Sequence, residues 1–129
     1  MPNGFHGPKD DWNRMEAPLF EIEEVLTQFA ADKKLELSRN YHNTAERSLR
    51  WSSHGVDRLI QIFLEDEQQL TFTFWICAFS DIQGKRYWKN KSLKKKVPFF
   101  EIKNEIHHLL KEGLDLVESW SKEDLVLAS

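Results

Sequence analysis

An α+β fold is predicted: an antiparallel meander of four or five strands, flanked in sequence by an N-terminal and a C-terminal helix packed on one face of the sheet. Apolar residues recur at three- and four-residue steps over residues 18–31 and again over 98–120, the period of an amphipathic helix. Between them, from Leu35 to Lys91, the period falls to two, as half-buried strands require. The breaks between the strand segments are too short for the crossovers that parallel pairing needs. Helix, strands, helix in that order is an α+β arrangement.

The first helix is expected from Pro18 to Ala31. Proline is tolerated at the first helical position, and Glu21, Glu23 and Glu24 suit the positive end of the helix dipole. Leu19, Ile22, Val25, Leu26 and Phe29 form its apolar stripe, and Asp32-Lys33-Lys34 closes it. Leu35, Leu37 and Tyr41 then alternate with Glu36 and Ser38, with Arg39 interrupting the apolar side and Asn43-Thr44 as a turn. Leu49 and Trp51 mark a second strand, and Ser52 to Gly55 read as a turn. A third strand carries Ile60, Ile62 and Leu64 on one side, and Glu65-Asp66-Glu67 is charged enough to read as the next turn.

The segment QLTFTFWICAF is the strongest strand signal. Leu70, Phe72, Phe74, Ile76 and Ala78 point one way, and Thr71, Thr73, Trp75, Cys77 and Phe79 the other. Ser80 to Gly84 form a hairpin loop, and KRYWKN returns as a fifth strand. A second helix from Pro98 to Trp120 gathers Ile102, Ile106, Leu109, Leu110, Gly113, Val117 and Trp120 on one side. A glycine inside such a stripe calls for close approach to another element. Ser121-Lys122-Glu123-Asp124 has the form of a capping box for a short final turn.

At 129 residues the chain fits a single domain, expected over residues 14–129 after a flexible lead-in at 1–13 with two Gly and two Pro. The one cysteine, Cys77, excludes an internal disulfide and suits a reducing cytosol; a cytoplasmic location is expected, with no secretory leader. The longest apolar run, FTFWICAF, falls far short of the ~20 residues of a membrane helix, so no membrane contact is expected.

Two features bear on function. If Phe72, Phe74 and Ile76 meet the helices, then Leu59, Phe63, Trp75, Cys77 and Phe79 face outward, and so does either Tyr87 or Trp88; Phe63, Trp75, Phe79 and Trp88 are the expected anchors. An apolar sheet face of that kind marks an interface, with arginines at its rim. The leading expectation is therefore a non-catalytic protein-interaction module that binds a protein partner or itself, a homodimer included. The second feature is the basic strip Lys85, Arg86, Lys89, Lys91, Lys94, Lys95 and Lys96, seven of the chain's 18 basic residues within positions 84–96. The other 116 residues hold 11 basic and 21 acidic side chains, so whole-surface attraction to a polyanion is disfavoured.

The strip reads chiefly as solvated, edge-protecting lysine at a strand exit. The alternative is single-stranded nucleic-acid binding, with Tyr87 and Trp88 stacking on bases and Arg39, Arg47, Arg50 and Arg58 converging from neighbouring strands. A third reading is an enzyme or small-ligand binder with a pocket between sheet and helices. No cofactor, metal site or catalytic residue is expected. The five histidines lack ligand spacing, Cys77 sits among apolar neighbours that do not activate a thiol, and the acidic clusters fall on a turn and on wet helix faces.

Overall fold

The computed structural model describes residues 19–39, 46–66 and 71–128. The lead-in at 1–13, Pro18, Tyr41 and the Asn43-Thr44 turn lie outside the described residues. The fold is α+β, with a six-stranded antiparallel sheet whose strands lie side by side in chain order. Helix α1 (Glu23–Lys33) precedes β1 (Glu36–Arg39), β2 (Glu46–Ser53), β3 (Val56–Asp66), β4 (Thr71–Ile82) and β5 (Lys85–Pro98). A 3₁₀ turn at Phe99–Glu101 leads into α2 (Ile102–Ser119), and a second one at Lys122–Asp124 leads to β6 (Val126–Leu127). The sheet thus has one strand more than the upper of the four or five predicted, because β6 is two residues long and too short to show a period.

Local chemistry sets the turns. β2–β3 and β4–β5 close through two-residue turns, His54-Gly55 and Gln83-Gly84, whose four φ angles lie between 52° and 77°. Two successive left-handed residues are the signature of the type I′ turn, whose twist matches that of the paired strands. The turns are therefore tighter than the four- and five-residue loops expected from sequence, and Ser80, Asp81 and Ile82 belong to β4. Charge did not make Glu65 and Asp66 a turn either. β3 runs through both, and Asp66 pairs with Thr71 after an irregularity in register at Leu64. At the other end of the chain the capping box forms as expected, with the Ser121 N–H donating to Asp124 Oδ2 at 2.7 Å.

The core is one cluster. Leu19, Ile22 and Leu26 of the N-terminal helical segment and Ile102, Ile106, Leu109, Leu110 and Val117 of α2 pack with Leu49, Ile60, Ile62, Phe72, Phe74, Ile76 and Ala78 of the sheet. Register makes the sheet residues one face: Leu49 lies opposite Ile60, and Ile60 opposite Ile76. Gly113 brings α2 flush onto it. A Cβ there would stand 3.0 Å from Leu93 Cδ1, 3.3 Å from Ile76 Cγ2 and 3.6 Å from Ile60 Cδ1. Leu93 is available because β5 carries a bulge, Trp75 pairing with Ser92 but Phe74 with Lys94. The extra residue is Leu93, which turns in against the core.

Two arginines lie on this same face, contrary to the expectation that Arg47 and Arg58 serve a rim or a polyanion clamp. Each is 1% exposed. Arg47 alternates with Leu49 and Trp51, and Arg58 with Ile60 and Ile62, so the pleat turns both inward. Burying a guanidinium requires a full set of acceptors. Arg47 Nε donates to Glu23 Oε1 at 2.8 Å, and its Nη1 donates to the Glu46 carbonyl at 2.8 Å. Arg58 Nη1 donates to the carbonyls of Val117 and, at 2.8 Å, Trp120, while its Nε donates to Ser53 Oγ at 2.6 Å. Arg58 thereby caps the end of α2, a second donor to the Val117 carbonyl beside the Trp120 N–H, and its positive charge there complements the helix dipole.

Two outcomes are expected. Gly113→Leu should lower unfolding free energy by about 1–3 kcal/mol in urea titration, the usual cost of overpacking. The second concerns acid stability. Burial disfavours ionisation of Glu23, but hydrogen bonds from Arg39 and Arg47, and their charges, outweigh it and hold its carboxyl below the ordinary 4.5. As pH falls the unfolded chain protonates Glu23 first, so this stabilisation is complete above the ordinary value and lost through the folded one. Melting temperature measured through that acid window should fall less steeply for Glu23→Gln than for the parent chain, relative to each protein's value at neutral pH.

Candidate functional site

The alternation that sends Ile60 and Ile76 under the helices sends their neighbours to the opposite face. Leu59 lies opposite Cys77, Gln61 opposite Trp75, and Phe79 opposite Trp88. Leu59, Phe63, Trp75, Phe79 and Trp88 are each half-buried, and none belongs to the helix-side core. Register puts four of them on one face between the middle and the turn end of β3–β5: Phe79 pairs with Trp88, and Leu59, opposite Cys77, lies diagonal to Phe79 and to Trp75. Phe63, opposite Thr73, stands apart toward the other end.

At the turn end the surface is aromatic and cationic. The Phe79 ring has the Arg86 guanidinium 4.3 Å and the Arg50 guanidinium 5.9 Å from its centroid. Arg86 is itself oriented by Asp81, donating from Nε at 2.8 Å and from Nη2 at 3.0 Å. Trp75 Nε1 donates to Asn90 Oδ1 at 3.4 Å. Arg86 thus belongs to the aromatic surface, a membership legible in its two-residue spacing from Trp88 but obscured by the run of lysines around it.

Toward the other end the same face becomes polar and buried. Glu46 is 3% exposed and accepts from Gln61 Nε2 at 3.0 Å, and Thr73 is 1% exposed. Thr71 Oγ1 is buried with no hydrogen-bond partner among the described residues. Cys77, between the two ends, is 3% exposed, and burial pushes its thiol up to about 11 against the opposing charge of Arg86. The sulfur is therefore a protonated, packed group at neutral pH and a poor nucleophile.

All seven residues of the basic strip lie on β5 and are exposed. Lys94, Lys95 and Lys96 sit inside that strand, which runs on to Pro98, rather than at its exit. The strand's pleat and bulges divide the charge. Arg86 engages Asp81 on the outer face, whereas Lys89 lies 5.1 Å from the Trp120 ring and Lys94 pairs with Glu105 at 2.7 Å on the helix side. The left-handed φ of 56° at Lys96 falls where the register with β4 slips a second time.

An open groove of about 570 Å³ runs between the helices. Glu24, Val25, Gln28 and Phe29 of α1 face Lys103, His107 and Leu110 of α2 across it. Among the described residues no three His, Cys, Asp or Glu side chains gather as metal ligands, and no helix is long and apolar enough to cross a membrane. Comparison of the chain with protein-family models, with curated proteins and with solved structures finds no match.

Cys77 should resist Ellman's reagent in the folded protein at pH 8 and react as one thiol per chain once unfolded in guanidinium. Rapid native-state labelling would contradict the packing described.

Proposed function

We propose that this chain is a non-catalytic protein-interaction module that docks a protein surface, a second copy of itself or another protein, against the outer face of its sheet. The observation that carries the reading is the cluster of Phe79, Trp88, Trp75 and Leu59 with two guanidinium groups over one ring. Aromatic and arginine side chains supply most of the energy in known interfaces, and Arg86, held by Asp81, loses less freedom on binding than a mobile arginine. The turn end of β3–β5 is the centre of this surface. Asp57 and Asp81 place negative charge at its margin.

Size-exclusion chromatography with light scattering, run on the parent chain and on Phe79→Glu, tests the self-associating form: a mass of two chains should fall to one. If the parent chain is monomeric, the indole N–H signals of Trp75 and Trp88 should broaden with a soluble paramagnetic probe, and Phe79→Glu should abolish cross-linking to the partner protein. A monomer whose two indoles are shielded from the probe would defeat both forms.

A second reading, single-stranded nucleic-acid binding through Lys85, Arg86, Lys89, Lys91, Lys94, Lys95 and Lys96, draws support from their placement on one exposed strand beside Trp88. It is the weaker of the two. A phosphate backbone needs charge that converges, and here the pleat sends Arg86 and Lys89 to opposite faces, while Arg47 and Arg58 are spent inside the core.

A further inference from the structure

The long β5 strand has two edges, and among the described residues its outer one is paired over only a small part of its length. β6 pairs with Tyr87 and Trp88, and the Ala128 N–H donates to the Arg86 carbonyl at 2.8 Å. That bond sets the direction of every main-chain group nearby. With Arg86 directed at β6, antiparallel geometry directs Tyr87, Lys89 and Lys91 at β4, and directs Asn90 and Ser92 away from it. Beyond Trp88 no strand among the described residues takes up that side. The Leu93 bulge ends the regular stretch.

We propose that this edge, from Lys89 to Ser92, is a site for strand addition by an acidic, extended segment of another protein. Main-chain pairing supplies the affinity in such additions and the flanking side chains the choice of partner. The flanking side chains here are exposed lysines, Lys89 and Lys91 within the stretch and Lys95 just past it. Lysines along an edge repel basic strands and the same edge of a second copy, and so act as a guard against indiscriminate pairing. The same charges attract a strand with carboxylates at alternate positions, because cross-strand pairs of opposite sign stabilise and like pairs destabilise. β6 demonstrates that this edge accepts an antiparallel strand, and its pairing stops at Trp88, next to Lys89. The surface is distinct from the aromatic face, so either reading can fail without the other.

The probe is a synthetic peptide of alternating Glu and Val, about eight residues long, an ordinary strand length. Titrated at low salt into the isotopically labelled full chain, it should shift the amide signals of Asn90 and Ser92. Asn90→Pro removes the outward N–H without breaking the ladder to β4, and should weaken binding about tenfold or more, an amount equal to about 1.4 kcal/mol. Asn90→Ala, which keeps that N–H, should leave binding near the parent value.

Lys91→Glu with Lys95→Glu gives a second route should the proline variant unfold, and should abolish binding. Three outcomes overturn the proposal: no binding at low salt, binding that survives Asn90→Pro in a folded protein, or shifts that avoid Asn90 and Ser92. An oligothymidylate that binds with the same lysine dependence but is indifferent to Asn90→Pro would assign the edge to polyanion attraction instead.

Discussion

Everything in this fold depends on how closely α2 lies against the sheet. Ordinary helix–sheet packing keeps a layer of side chains between the two backbones. At Gly113 that layer is missing on the helix side, and Leu93, Ile76 and Ile60 fill the space directly. The contact needs three things from three parts of the chain: a glycine in mid-helix, β-branched residues at the matching positions of β3 and β4, and a bulge in β5 that turns Leu93 inward. Glycine costs a helix interior roughly 1 kcal/mol relative to alanine, so its presence in an otherwise apolar stripe is offset by the fit it permits. With α2 seated there, its last turn falls over Arg58, and the guanidinium reaches the Val117 and Trp120 carbonyls.

The two buried arginines hold the ends of the helix layer. Arg47 ties α1 to β2 through Glu23, and Arg58 ties the end of α2 to β3. Buried charge is weak evidence for net stability, since desolvation consumes much of the attraction. Its effect is on geometry. A hydrophobic core alone would tolerate some sliding of the helices along the sheet, whereas planar guanidinium groups accept few positions. Arg47 sits between the Glu23 carboxylate and the Glu46 carbonyl, with the Phe20 ring 5.7 Å away, and so fixes Glu23 of α1 against the start of β2.

The layout was legible in the chain because its two periods do not overlap. A 3.6 repeat at each end and a repeat of two between them leave little choice of fold class, and the flush contact at Gly113 and the capping box at Ser121 were readable for the same reason: each is a local pattern with one physical explanation. Where sequence expectation and structure differ, composition misleads and position does not. Arg47 and Arg58 share parity with Leu49 and Ile60, yet charge suggested a surface. Glu65 and Asp66 continue β3 although three acids in a row suggested a turn. His54-Gly55 and Gln83-Gly84 each place a glycine after a residue that tolerates positive φ, but neither is the familiar Asn-Gly pair. β6 left no signal because two exposed residues are held by pairing alone.

Among the described residues the helices cover one face of the six-stranded meander, and two further parts of it differ in chemistry: the aromatic turn end of the other face and the edge of β5 beyond Trp88. Composition alone does not separate them, because aromatic, arginine and lysine residues are interleaved along β5. The pleat separates them. Successive side chains part to opposite faces, and successive main-chain groups to opposite edges. Trp88 and Arg86 join Phe79 on the outer face, Lys89 goes to the helix side beside Trp120, and the peptide groups of Asn90 and Ser92 turn outward. One strand therefore contributes to two chemically different surfaces. The aromatic one is suited to burial and the lysine-flanked edge to an acidic strand. A polyanion that needed all the charge of β5 at once would meet only half of it from any one direction.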